Sequence, residues 1–349
     1  MVEVRYIPTR WRELADTVAE LAAPGKGIVA LDESNATCTK RFQAVGAEST
    51  PETRRQYRCL LLGAPGIAEH ISGAILYDET LRQADDQGTP LPEMMSRAGM
   101  VPGIKVDTGA KPLAGAPGEQ VTEGLDGLRE RLQEYRELGA RFAKWRAVIR
   151  IGEGMPSRQC VNANTHALAR YSALCQEAGL VPIVEPEVLL EGDHDLDRCE
   201  QVTEEVLRAL FQQLWEQNVL LEGAILKSSM VVPGKDSGQQ VAPETVADRT
   251  VVTLLRSVPA ALGAVVFLSG GQSERQATMH LDAMNRRWGN RAPWRLTFSY
   301  ARALQQPALE IWRGDAARTA EAQQAFAERA RLNGLASEGC YDPAMDDAA

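Results

Sequence analysis

Lys227 ends the apolar run Gly223-Ala224-Ile225-Leu226 and is followed by Ser228-Ser229. A run of that kind reads as a buried strand. A lysine at its end is either half of a buried ion pair or an amine desolvated for chemistry. An ordinary lysine, with a pKa of about 10.4, is protonated near neutrality. Burial and neighbouring cations bring such an amine to roughly 7–8, where it adds to a ketone and forms a Schiff base. Further charged residues follow the same habit of closing apolar runs. Asp32 follows Gly27–Leu31, and Lys105 and Asp107 close Gly103–Val106. Lys144 and Arg146 lie two apart, as do Glu185 and Glu187, so each pair shares one face of a strand. In this reading Lys144 and Arg146 lower the Lys227 pKa. Glu185 or Glu187 supplies the acid that removes water from the carbinolamine, and Asp32 takes a proton from the hydroxyl of the departing carbon. The alternative for any single residue is a structural ion pair, Glu187 with Lys144 for example.

A second constellation suits an anion. Ser269-Gly270-Gly271 is a glycine-rich turn between an apolar run and a helical pattern, where backbone N–H groups approach a phosphate closely. Ser299 and Arg302 follow the next run, and Arg302 is a bidentate partner for such a group. Lys40-Arg41 offers either a second anion site or an exposed basic pair on a helix. The four histidines, His70, His166, His194 and His280, are too scattered for a metal site, and no GxGxxG follows a strand. Neither a metal nor a dinucleotide is expected.

Eight apolar runs would carry these residues: 27–31, 73–77, 103–106, 141–145, 181–184, 223–226, 264–268 and 295–298. Helical patterns separate them at 122–138, 162–178, 196–217, 243–258, 273–288 and 316–335. Strands alternating with helices pair in parallel, and eight such units predict a closed (β/α)8 TIM barrel in a single domain, with a doubly wound open sheet as the alternative. In the barrel all the charged strand ends meet at one face. The stretch 110–118 reads as a long Gly/Pro-rich loop. Residues 1–335 form the barrel with an N-terminal helical extension, and 336–349 read as a mobile tail.

The 349 residues carry a net charge of −9 and are 44% apolar, enough for a large core and unsuited to generic nucleic-acid binding. Six cysteines without CxxC spacing, and Met-Val-Glu-Val-Arg without an apolar leader, point to reduced thiols in the cytoplasm. No run approaches a membrane span.

Six segments, 31–41, 103–107, 142–146, 181–187, 267–273 and 296–302, resemble the signatures of class I fructose-1,6-bisphosphate aldolases. The resemblance extends from about Trp11 to Leu335, and Asp-Glu-Ser-Asn-Ala-Thr-Cys and Ser-Tyr-Ala-Arg are closer to the plastid and bacterial branch than to the animal one. It implies a metal-free lyase of glycolysis, gluconeogenesis or the Calvin cycle, and a homotetramer. Lys227 would be the Schiff-base lysine, Glu185 the acid/base and Glu187 its support. Lys144 and Arg146 would stabilise charge, Lys105 would line the site, and Asp32 would act in carbon–carbon cleavage. Ser269, Gly270, Gly271 and Arg302 would hold one phosphate, with Ser34 and Thr37 near the second. Three positions depart from the family. Ser228 stands where proline is usual, Thr108 where lysine is common, and Tyr341 is the nearest counterpart of a terminal tyrosine. Other readings are a Schiff-base aldolase for another phosphosugar, such as sedoheptulose 1,7-bisphosphate, and a non-catalytic barrel scaffold.

Overall fold

The computed structural model describes residues 10–347. The segment Met1–Arg5, read above for a leader, and the last two residues of the expected tail lie outside them. Ten strands are present among the described residues: β1 Gly27–Leu31, β2 Ile71–Leu76, β3 Val101–Lys105, β4 Gly109–Pro112, β5 Gln120–Glu123, β6 Phe142–Ile149, β7 Val181–Val188, β8 Ile225–Ser228, β9 Ala264–Phe267 and β10 Leu296–Tyr300. The helices are α1 Trp11–Leu21, α2 Asn35–Ala44, α3 Pro51–Leu62, α4 Asp78–Leu81, α5 Leu91–Arg97, α6 Leu128–Glu137, α7 Arg158–Ala178, α8 Leu196–Glu216, α9 Pro243–Ser257, α10 Glu274–Trp288, α11 Arg302–Trp312 and α12 Thr319–Ser337. Eight strands close a parallel barrel in the order β1-β10-β9-β8-β7-β6-β3-β2, and β4 and β5 form a separate antiparallel pair. This is the expected (β/α)8 barrel.

The inward face of the barrel is layered. α1 lays Leu14, Val18 and Leu21 across the amino-terminal end, against Ile28, Ile75, Phe142, Ile183 and Ile225. Two residues further along three of those strands, on the same face, come Lys144, Glu185 and Lys227. Hydrocarbon therefore floors the charged layer. Gly103 on β3 belongs to this floor. A methyl group there would lie 2.2 Å from the Phe142 ring, so the glycine makes room for the aromatic plug. Gly103→Ala is expected to cost about 1–3 kcal/mol in urea denaturation, and Phe142→Leu in the same chain to recover part of that. Additive losses from the two changes would contradict this packing.

The structure differs from the sequence reading in several segments; β6 runs on to Ile149 and β7 to Val188, so that Arg146, Glu185 and Glu187 lie within strands. The helix expected over 122–138 begins only at Leu128, after Gly127 in a left-handed conformation (φ +63°). Thr122 lies in β5 because its hydroxyl donates to the Arg146 carbonyl (2.8 Å) and its N–H to Asn164 Oδ1 (3.1 Å). The expected loop 110–118 likewise starts as β4, paired with β5 from Gly109 opposite Glu123 to Pro112 opposite Gln120. Helices α2 to α5 and α11 add to the expected set. α3 is marked by Thr50 and Thr53, which cap its first turn reciprocally, and by Pro51 at its start.

At the carboxyl end α12 reaches Ser337, and Tyr341 is buried. Its N–H donates to Asp282 Oδ1 (2.9 Å), its hydroxyl to Asp346, and its carbonyl accepts from Arg286. Tyr341 is thus held against α10, and its hydroxyl partner belongs to the tail itself.

Candidate active site

The charged layer is a connected chain of ion pairs. Lys144 Nζ lies 2.5 Å from Asp32 Oδ2 and 3.1 Å from Glu185 Oε2, and Lys227 Nζ lies 3.2 Å from the other oxygen of that carboxylate, Glu185 Oε1. All four residues are buried: Lys144 and Glu185 are 3% exposed, Lys227 4% and Asp32 9%. Parallel register explains the assembly. β6 pairs β7 so that Arg146 stands opposite Glu185, and β7 pairs β8 through Val184 and Leu226, immediately before Glu185 and Lys227. Asp32 comes from the loop directly after β1.

Burial strongly disfavours a charged Asp32, yet the neighbouring Lys144, Lys227 and Lys105 ammonium groups outweigh it and hold the carboxyl well below the usual carboxylate range. Burial likewise opposes charge on Glu185, and Lys144, Lys227 and Arg146 overcome it, leaving that carboxyl lowered. For Lys144, burial is offset by Asp32, Glu185 and Asp107, which raise it above the ordinary lysine value. Asp32 and Glu185 are therefore ionised and Lys144 charged at neutral pH.

The other expected residues pair differently from the sequence reading. Arg146 is bound through Nε to Glu187, so Glu187 does not pair with Lys144, and Arg146 does not face Lys227 unopposed. Lys105 pairs with Asp107 at 2.8 Å, and Asp107 Oδ2 also accepts from the Arg146 N–H (3.2 Å). Asp107 thus joins β3 to β6. Arg41 pairs with Glu33, which also binds the buried Arg58 at 2.7 Å, so Arg41 is one of a structural trio. Ser34 caps α2, its Oγ accepting from the Thr37 N–H (3.4 Å), with the two hydroxyls 3.2 Å apart. Both residues thus form the first turn of a helix that follows Asp32 closely. Ser228 is buried, with its hydroxyl donating to the Ser229 carbonyl (2.9 Å). A buried serine that turns its polar atom onto the adjacent backbone occupies the place where proline is usual.

The Ser269-Gly270-Gly271 turn follows the neighbouring strand, since β8 pairs β9 with Lys227 opposite Val266. Ser269 is buried, and Gly270 and Gly271 both adopt left-handed conformations (φ +54° and +87°) that side chains rarely allow. Ser273 then caps α10 reciprocally with Gln276. Arg302 opens α11 and brings Nη2 to 3.4 Å from the position a first side-chain carbon on Gly271 would take. Ser299 is buried on β10, and its hydroxyl has no hydrogen-bond partner among the described residues. Lys235, absent from the sequence reading, also reaches this turn. Its Nζ lies 2.9 Å from the same Gly271 position. Among the described residues, no group of three or more His, Cys, Asp or Glu side chains is placed to hold a metal ion, and no helix is long and apolar enough to cross a membrane.

Whole-chain comparisons give the family independently of these residues. The family model for fructose-bisphosphate aldolase class-I matches residues 13–349. A probable fructose-bisphosphate aldolase class 1 from Xanthomonas campestris is 58% identical over 328 residues, 94% of this chain and 98% of that protein. The cytosolic fructose-bisphosphate aldolase 4 of Arabidopsis thaliana is 51% identical over 97% of this chain and 86% of its own length. The solved fructose-bisphosphate aldolase of Plasmodium falciparum, in complex with TRAP and a small-molecule inhibitor, superposes with a TM-score of 0.95 at 44% identity, covering 97% of each chain. With both the family model and these relatives spanning nearly the whole barrel, the chain belongs to the class I fructose-bisphosphate aldolases, which are carbon–carbon lyases.

Proposed function

We propose that Lys227 forms the Schiff base with C2 of fructose 1,6-bisphosphate, and that Glu185 moves the protons of that step. The observation that carries this assignment is the 3.2 Å approach of Lys227 Nζ to Glu185 Oε1 in a buried layer. A proton passing from the ammonium to Glu185 frees the amine and at the same time makes the acid needed next. Loss of that proton also removes one of the cations that lower Glu185, so the carboxyl becomes easier to protonate as the amine becomes neutral. The amine adds to C2, and protonated Glu185 returns its proton to the carbinolamine hydroxyl, which leaves as water. Asp32, kept ionised by Lys144, takes the proton of the C4 hydroxyl. The C3–C4 bond breaks, its electron pair flows into the iminium to give an enamine, and glyceraldehyde 3-phosphate departs. The proton that Asp32 accepted is returned to C3 of the enamine, and water hydrolyses the imine, which releases dihydroxyacetone phosphate and restores both Asp32 and Lys227.

Lys144 holds Asp32 and Glu185 at once, Arg146 and Glu187 form the adjoining pair, and Lys105 with Asp107 lines the far side. The phosphate next to C2 sits at Ser269, Gly270 and Gly271, which follow β9, with Ser299 on β10 and Arg302 at the start of α11. The other phosphate lies toward Ser34 and Thr37 on the first turn of α2. The substrate is thus a phosphosugar. The assembly we infer is a homotetramer, as the family resemblance implies, and the location is the cytoplasm, in line with the Arabidopsis relatives described as cytosolic.

The test is to incubate the full chain with dihydroxyacetone phosphate, reduce with borohydride and map the peptides by mass. The expected product is one reduced adduct, on Lys227. An adduct on another lysine, or none, overturns the assignment.

A further inference from the structure

Lys235, in the loop after β8, and Arg302, at the start of α11, converge on one glycine. A first side-chain carbon on Gly271 would lie 2.9 Å from Lys235 Nζ and 3.4 Å from Arg302 Nη2. Neither side chain makes an ion pair or hydrogen bond with another group among the described residues, unlike Lys105, Lys144, Arg146 and Lys227, each of which has a carboxylate. Two like charges brought together without a protein counter-charge repel, and a dianion between them reverses the sign of that interaction.

The approach of Lys235 is built into the backbone. The segment 234–236 is laced to the loop after β7 by three bonds: Gly234 N–H to the His194 carbonyl (2.8 Å), Lys235 N–H to Leu190 (3.0 Å) and Asp236 N–H to Gly192 (2.9 Å). Gly234 permits this lacing, since a methyl there would stand 2.3 Å from the Gly192 carbonyl oxygen. A lysine whose main chain is fixed at three successive residues extends its ammonium over the same turn that exposes the Gly270 and Gly271 backbone.

We propose that Lys235 is a binding and specificity-determining residue of the phosphate subsite at the Ser269–Gly271 turn, holding the phosphate next to C2 together with Arg302. The proposal rests on the phosphate assignment made above for that turn. Lys235 belongs to the loop after β8, the strand that carries the reactive amine, so it couples phosphate binding to the position of C2 over Lys227. Its benefit is confined to substrates with a phosphate on the ketone side.

The experiment uses the full chain with Lys235→Met, Lys235→Arg and Arg302→Ala, assayed on fructose 1,6-bisphosphate and on fructose 1-phosphate. Loss of one exposed charge-assisted contact predicts a KM raised about tenfold by Lys235→Met for both sugars, the larger part of the loss falling on KM and not on kcat. Lys235→Arg should recover KM to within about threefold of the parent, because the charge is retained. The gap between the parent and Lys235→Met should narrow as salt rises toward about 1 M, where the screening length is about 3 Å. A KM for Lys235→Met within about twofold of the parent, or an arginine variant as impaired as the methionine variant, overturns the proposal. If Arg302→Ala raises KM and Lys235→Met does not, Lys235 alone is wrongly assigned. If neither raises it, the phosphate assignment of the turn falls as well.

Discussion

Replacing Lys227 with methionine is expected to lower the cleavage of fructose 1,6-bisphosphate by at least about 10⁴-fold and to abolish the borohydride adduct. Methionine keeps the unbranched chain as far as Cε and fills most of the buried space, so the loss reports the amine and not a cavity. Glu185 retains Lys144 at 3.1 Å, so the variant does not strand that carboxylate without a cation. The thermal transition should therefore stay close to that of the parent while activity vanishes. A folded Lys227→Met chain with more than about one per cent of the parent activity would show that the covalent route is not required.

Lys144→Met is the change with the largest expected effect on stability. Lys144 is the only residue paired with both Asp32 and Glu185 among the described ion pairs, and removing one partner of a buried pair typically costs about 3–5 kcal/mol. The pH dependence gives an independent reading. Asp32 is depressed in the folded state, so its contribution to stability is complete above the ordinary carboxylate pKa of about 3.9 and is lost as pH falls through the depressed value. Lys144 is raised, so its contribution is complete below about 10.4 and is lost only as pH rises through the elevated value. Between about pH 4 and 10 the pair adds a constant amount. In the variant Asp32 keeps its burial and loses its nearest cation, so its carboxyl rises and the acid limb of stability moves to higher pH. Urea denaturation across this range measures both effects. A variant within about 1 kcal/mol of the parent, with an unmoved acid limb, would place little of the stability in this pair.

What the sequence made legible follows from strand periodicity. Lys144 with Arg146 and Glu185 with Glu187 could be assigned to one face because side chains alternate with a fixed period of two, and parallel register then did the rest. Asp32, Lys105 and Lys227 could be placed because they end apolar runs. The choice of partners was not readable. Whether Glu187 takes Lys144 or Arg146 depends on the register of β6 against β7, which sets Glu187 opposite Val148, nearer Arg146 than Lys144, and which spacing along one chain does not encode. Thr122 misled for a related reason. Its neighbours Leu125, Leu128 and Leu132 have helical spacing, and only its bonds to Asn164 and Arg146, remote in sequence, draw it into a strand. Lys235 was invisible because it lies in a loop without periodicity, and its placement depends on carbonyls at 190 and 192 and their neighbour His194.

The hydrocarbon floor beneath the charged layer has a consequence for how the site meets a change of bonding. Leu14, Val18, Ile183 and Ile225 close that side to water, so the charges above them are solvated mainly by one another. A protonated amine and a protonated imine at Lys227 each carry a single positive charge on the same nitrogen. The surrounding carboxylates therefore see an unchanged charge tally before and after the covalent bond forms. Their arrangement, settled when the chain folds, needs no rearrangement when the substrate becomes part of it, and the cost of reorienting a polar medium during the reaction is kept small.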